Sequence, residues 1–274
     1  MIAPPSSRSV DPRLAAASGV MRDTVGAIHN LQHLLGSVKV GPKALARVVP
    51  DVQASSGPMI VAADEMHRAA ESGALGSTSA RELSELVKSR MEDISRALTK
   101  IALSAFRASD RLTLEQALAP VVRDLDGALE LVELFTESTA TGRVPVALSD
   151  VIRESASRPD TSSGRGRRVR VTTSADGGTL VRVNPRLALR LFSFAVALGP
   201  HKDGVHAEAG ISGGAATLTL SPPSQPGPSL LVATPALIDL SRKCASEVAV
   251  LSGASLAAEG GRAIVLSLPL DPGD

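Results

Sequence analysis

The chain has no tryptophan, no tyrosine and only four phenylalanines in 274 residues. Base-stacking platforms and aromatic cages are therefore unavailable as recognition devices. A single cysteine, Cys244, rules out an intramolecular disulfide and a cysteine-rich metal site, the pattern expected of a reducing cytoplasm. It lies in an apolar-periodic stretch and is expected to be a small buried hydrophobe. Charge of one sign is also lacking: 29 Lys plus Arg face 28 Asp plus Glu, a net of +1. No global field then favours nucleic acid or an anionic membrane, and the basic run "RGRRVR" at 165–170 is expected to be a solvated loop entering a strand. No apolar run reaches the length of a membrane span, and "MIAPPSSRSVDPR" has no apolar leader core. G-x-S-x-G elbow, P-loop and dinucleotide fingerprint are all missing. The expectation is a soluble cytoplasmic protein without a nucleic-acid, membrane or metal partner.

What is present is helical periodicity. After a disordered lead-in over 1–11, the spacing predicts helices over about 12–38, 42–72, 79–109 and 113–138. The breaks are "VGP" at 40–42, "SGALGSTS" at 72–79 and "SDRLT" at 109–113. Thr113 with Gln116 reads as a capping box that starts the fourth helix. Pro50 and the "GP" at 57–58 are expected to kink or split the second. Val87, Met91, Ile94, Leu98, Ile101 and Ala105 form one apolar seam, and Leu118, Val121, Leu125, Ala128, Val132 and Phe135 another. A hairpin of two such helices leaves its stripe partly wet. A second copy, or the first two segments, would bury it in a four-helix bundle. Pro120 is expected to bend the start of the fourth helix.

From "TGRVP" at 141–145 the character changes. "VALSDVIRESA" (146–156) reads as a short amphipathic helix. "RVRVTTSA" (168–175) and "TLVRVN" (179–184) read as strands around the "DGG" turn at 176–178. "PRLALRLFSFAVALG" (185–199) reads as a helix with proline near its start. "GVHAEAGISG" and "AATLTLSPP" read as a hairpin in which "GISGGAA" (210–216) supplies the turn. A loop at 224–228, a helix within 235–253 and a hairpin over 254–270 turning at Gly260-Gly261 complete the pattern. The expected class is α+β: an N-terminal helical bundle, then a mixed sheet with helices on one face.

The order of these segments resembles the core of sensor histidine kinases, a dimerising helical hairpin followed by a GHKL-type ATP-binding domain. The resemblance covers roughly residues 80–270. "ALAPVVRDLDGALELVELFTEST" looks like the second dimerisation helix and "VPVALSDVIRESA" like the entry helix of the ATPase domain. "VRVNPRLALRLFSFAVALG" occupies the place of the family's strand-to-helix segment, and "GASLAAEGGRAIVLSLPL" looks like its closing hairpin. The periodicity gives a helical hairpin region over 12–78, and the resemblance implies a dimerisation hairpin over 79–140 and a degenerate GHKL-like α/β sandwich over 146–272. Where the family carries a metal- and phosphate-holding Asn, this chain has Phe194, Ala195, Val196, Ala197 and Leu198. Where it carries an adenine-binding Asp, "LSPPSQPGPS" (220–229) has no acid, and where it carries a glycine turn, "VATPAL" (232–237) has Pro235 and no glycine. The resemblance thus implies a shell that binds neither ATP nor any other cofactor. The family's phospho-acceptor slot falls on Glu92, followed by Asp93, and a glutamate cannot store phosphate as an imidazole does. A fixed charge mimic at Glu92 and a solvated helix-face acid are both open; Asp93 and Lys100 are expected at the surface.

That leaves "AIHNLQHLLG" at 27–36. It loosely fits the family's histidine-containing box and, less well, a phosphotransfer motif with Gly36 seven residues on. The helix seam passes through Met21, Val25, Ile28, Leu35 and Val38, with Leu31 nearby. His29 lies about 100° from Ile28, on a flank with Arg22, Gly26, His33 and Gly36. Three roles stay open for His29: phospho-acceptor, plain surface, or metal and partner contact. An i, i+4 pair with His33 needs a third ligand, and no such motif accompanies it. His67, His201 and His206 are expected to be structural. Three functions follow. The first is a dimeric, non-catalytic signalling scaffold that binds a response-regulator receiver domain or a histidine kinase. The second is a phosphotransferase relaying through His29. The third is an assembly protein outside signalling.

Overall fold

The computed structural model describes residues 12–37, 42–71, 79–99, 108–140, 142–157, 169–173, 178–198, 205–221, 235–259 and 263–271. Within them the chain forms two compact units. One takes in 12–136 and 235–240, the other 137–221 and 241–271.

The first unit is built on α1 (Pro12–Gly36), α2 (Pro42–Glu71), α3 (Ser79–Thr99) and most of α4 (Ala108–Ala140). Their apolar seams are its core. Met21, Val25, Ile28, Leu31 and Leu35 of α1 are buried, as are Val87, Met91, Ile94 and Leu98 of α3. Leu118, Val121, Leu125, Ala128, Val132 and Phe135 of α4 are buried too. Each such Val, Leu, Ile, Met or Phe side chain contributes about 1.5–3 kcal/mol when taken out of water. The α3–α4 stripe is covered within a single chain: α2 packs on α1 and α3, and side-chain pairs join α4 to both α1 and α3. The first two helices are therefore its cover. Val38, Ile101 and Ala105 lie outside the described residues.

Two helix expectations are corrected. Helix α2 is continuous through Pro50 and Pro58, so neither splits it. Val49, Val52, Met59, Ala62, Ala63 and Met66 are buried along it, and this packing outweighs the local cost of each ring. Both prolines are exposed, so the carbonyls deprived of an N–H partner, those of Ala46 and Ala54, belong to residues on the solvent side. Helix α4 begins at Ala108, ahead of Thr113. The Thr113–Gln116 pair thus lies inside the helix rather than capping it. Pro120 is also carried inside α4.

The second unit holds β1 (Val144–Ala147), α5 (Leu148–Ser157), β2 (Val169–Thr173), β3 (Leu180–Val183) and α6 (Pro185–Leu198). Next come β4 (Val205–Ser212), β5 (Ala215–Ser221), the greater part of α7 (Pro235–Leu251), β6 (Ser255–Glu259) and β7 (Ala263–Pro269). The main sheet runs β2-β4-β5-β7-β6, parallel between β2 and β4 and antiparallel elsewhere. It is the mixed sheet expected, and the class is α+β. Period-2 burial puts Ala207, Ala209, Ala216, Leu218, Leu220, Ile264, Leu266 and Leu268 inward, with α6 packed against β7 and α5 against α6. Gly213 and Gly214 turn the β4–β5 hairpin with φ of +58° and +77°, the two-residue loop whose twist suits paired strands.

The expected hairpin around 176–178 does not form. Instead β3 pairs with β1, a strand the periodicity did not signal, and β2 pairs in parallel with β4. Val144–Ala147 was too short and too proline-bearing to register. Asn184 closes β3 and caps α6: its side-chain carbonyl accepts from the N–H groups of Arg186 and Leu187 at 3.0 and 3.3 Å. Pro185 then stands at the first helical position, where a missing N–H costs nothing. Cys244 is buried and in no disulfide, the small hydrophobe expected of it.

Candidate functional site

The candidate site lies on the helical unit, where α4 meets α1 and α3. His29 stands on the exposed side of α1, one position past the buried Ile28. Its Nε2 is 2.8 Å from Oδ1 of Asp126 on α4, with the two side chains 48% and 42% exposed. Seven residues earlier on α1, Arg22 donates from Nη2 to Oε1 of Glu133 at 2.5 Å, seven residues later on α4. The two rungs climb one helix as they descend the other, so α1 and α4 run antiparallel. The heptad spacing stacks both rungs on one flank. The hydrogen bond and charge of Glu133 raise the Arg22 pKa above its already high ordinary value, so this rung stays charged.

The imidazole–carboxylate contact constrains chemistry at His29. With neutral histidine, the proton on Nε2 points at Asp126 and the free lone pair lies on Nδ1. With protonated histidine the contact becomes an ion pair. In either state a carboxylate stands against Nε2, and a phosphoryl group approaching that nitrogen meets a like charge. His33, the next residue of the same register, is exposed. Among the described residues no group of three His, Cys, Asp or Glu side chains is arranged to hold a metal ion.

On the opposite side of α4, Arg90 of α3 donates from Nε to Oδ2 of Asp124 at 2.7 Å and from Nη1 to Oδ2 of Asp93 at 3.0 Å. Asp93 in turn accepts from Arg96 at 2.7 Å. The Asp124 side chain is 1% exposed. Burial opposes the charge on Arg90, but its bonds to Asp124 and Asp93 outweigh that penalty and hold its pKa above the ordinary value. Glu92, in the family's acceptor slot, is exposed, while Asp93 beside it is tied into this chain of charges. Lys100 lies outside the described residues.

Sequence reasoning found His29 and missed its partner on α4, Asp126, as it missed the buried Asp124 on the other side of that helix. A signal for Asp124 was present. It falls three residues after Val121 and four before Ala128, the seam spacing, just as Arg90 falls between Val87 and Ile94. Opposite charges at the same place on two consecutive seams announce a cross-helix pair. Of the other histidines, His67 pairs with Glu71 one turn along α2 at 3.2 Å, and His206 is half-buried on β4; His201 lies outside the described residues. So do 222–234, with the expected loss of the adenine acid and the glycine turn, and most of the 165–170 basic run. The side chains of 194–198 are likewise not described. No helix among the described residues is long and apolar enough to cross a membrane.

No family model and no curated protein matches the chain. Among solved structures, Acinetobacter baumannii histidine kinase AdeS is similar over 69% of this chain and 98% of its own, at 10% identity and a TM-score of 0.38. A similarity of that level names a neighbour and assigns no family.

Proposed function

We propose that this chain is a non-catalytic, histidine-kinase-like signalling protein of the cytoplasm. It acts as a dimeric scaffold or regulator that binds a response-regulator receiver domain or a histidine kinase, without binding ATP. The observation that carries this is the state of its one candidate acceptor: Nε2 of His29 is engaged by the carboxylate of Asp126 at 2.8 Å. A nitrogen faced by an anion is a poor target for a phosphoryl group, whereas a half-exposed His–Asp rung beside Arg22 and Glu133 is a suitable polar rim for a protein partner. The dimer needs a surface other than the α3–α4 seam, whose residues are buried inside one chain.

A second function has its own support from the same contact. By holding the proton on Nε2, Asp126 leaves the Nδ1 lone pair as nucleophile. In a relay, Nδ1 would attack the phosphorus of an aspartyl phosphate, forming a P–N bond as the donor carboxylate leaves.

Incubation with a labelled phospho-receiver and with an autophosphorylated histidine kinase separates the two. Binding by calorimetry with no acid-labile label on the chain is expected from the scaffold. Label on the wild type that vanishes in His29→Ala overturns it in favour of relay. Micromolar ATP binding overturns the empty shell.

A further inference from the structure

Helix α2 carries a face that nothing among the described residues covers. Lys43, Arg47, Pro50, Ala54, Gly57, Pro58, Val61, Arg68 and Glu71 are all exposed, and Glu65 is half-exposed. At about 100° per residue these positions fall within one arc of the helix. Val61 is 57% exposed, unusual for a β-branched apolar side chain in the middle of a long helix. A side chain at Gly57 would meet no atom within 4 Å. Between Arg47 and Asp64 the helix has one charged residue, Asp51, and it lies on the edge of the arc.

The charges collect at the two ends of this apolar middle, and they differ in sign. Lys43 and Arg47 stand at the N-terminal end. Asp64, Glu65 and Glu71 stand at the C-terminal end, where Arg68 and Lys88 of α3 offset two of the three acids and leave the end net acidic. Arg68 holds Glu65 at 2.7 Å, and Asp64 engages Lys88 of α3. A surface that is basic at one end, apolar in the middle and net acidic at the other complements itself when a copy is turned end for end. Such isologous pairing is the geometry of a two-fold dimer. Pro50 and Pro58 add to the case. They are exposed where a helix interior tolerates proline least, and they hold uncharged rings on either side of Ala54.

From this we infer that the occupant of this face is a second copy of the chain, with two α2 helices antiparallel and crossing near Gly57. Arg47 of each copy faces Glu65 of the other, and Lys43 faces the turn that carries Glu71. The absence of a side chain at Gly57 lets the two backbones approach at the crossing, and Val61 of each copy packs beside Ala54 of the other. The contact is that of a single helix pair, at the small end of specific interfaces, so the dimer exchanges with monomer and depends on concentration and salt. This gives the dimer of the proposed function its surface and rests on that part of it alone.

Light scattering and sedimentation across a dilution series test it on the full chain. The wild type is expected to approach twice the mass of one chain as concentration rises. Val61→Arg and, independently, Ala54→Arg are expected to raise the dimer dissociation constant at least about tenfold. Both sites are exposed, so circular dichroism melting of each variant is expected to show an intact monomer. Arg47→Glu weakens the dimer, and adding Glu65→Arg restores it, because the swapped charges meet again across the two-fold. A wild type monomeric throughout overturns the inference. So does a dimer indifferent to Val61→Arg and Ala54→Arg, or a double charge swap that fails to restore. A dimer that survives these variants leaves the dimeric scaffold standing on another surface. A monomer that binds a receiver domain leaves partner binding standing without the dimer.

Discussion

Arg90 and Asp124 meet at 2.7 Å across α3 and α4, with the carboxylate almost wholly out of water and the guanidinium one-quarter exposed. Breaking a buried pair from one side is worse than never having built it, because a charge is left without its counter-ion. Arg90→Leu is expected to destabilise the helical unit by about 3–5 kcal/mol. Arg90→Leu with Asp124→Leu should recover most of the loss. Urea unfolding of the two variants against wild type reads the difference.

A pH effect follows from Asp64. Its hydrogen bond with Lys88 holds its pKa below the ordinary 3.8, and the charges of Lys88 and Arg68 act the same way against the opposing effect of burial. A folded pKa below the unfolded one means that this carboxylate stabilises the fold above pH 3.8, and that the contribution fades as pH falls through the lower, folded value. NMR titration of the Asp64 carboxyl should show the depressed midpoint, and Lys88→Met should move it back up. The same substitution should make acid unfolding less steep in that range.

Helix α2 carries two prolines that its packing tolerates without requiring. Pro58→Ala returns an N–H to the Ala54 carbonyl, and Pro50→Ala returns one to the carbonyl of Ala46. Each is expected to raise stability, by up to about 3 kcal/mol for an interior helical site, seen as a higher midpoint in thermal melts of the Val61→Arg background. No fall in helicity by circular dichroism is expected.

Asn184 closes the start of α6 by accepting from two N–H groups, and its amide also donates to the Glu137 carbonyl at 3.3 Å. Asn184→Ala removes the cap and should cost about 1 kcal/mol. Asn184→Asp keeps the acceptor and should preserve the cap, at the loss of the bond to Glu137. Chemical denaturation followed by circular dichroism distinguishes the two.

The helical seams were legible because each buried residue recurs at threes and fours, and every described seam residue of α3 and α4 is buried. The glycine pair at 213–214 was legible because a two-residue turn demands positive φ. What escaped was set by partners distant in sequence. Continuity of α2 through its prolines depends on packing against α1 and α3. The pairing of β3 with β1 and of β2 with β4 reaches across intervening elements, and local alternation says that a strand exists without saying what it pairs with. The site was half legible for the same reason: His29 stood out by chemistry, while Asp126 drew notice only once α4 was laid along α1.

Because α1 and α2 close the seam of α3 and α4 inside one polypeptide, assembly of the helical core is a first-order event. A hairpin that borrowed its cover from another molecule would melt on dilution. In a Val61→Arg monomer this core is expected to unfold at the same midpoint at every protein concentration. Association through the outer face of α2 would then act as a reversible switch laid over a fold that is already complete, so subunits could exchange partners without either one passing through an unfolded state.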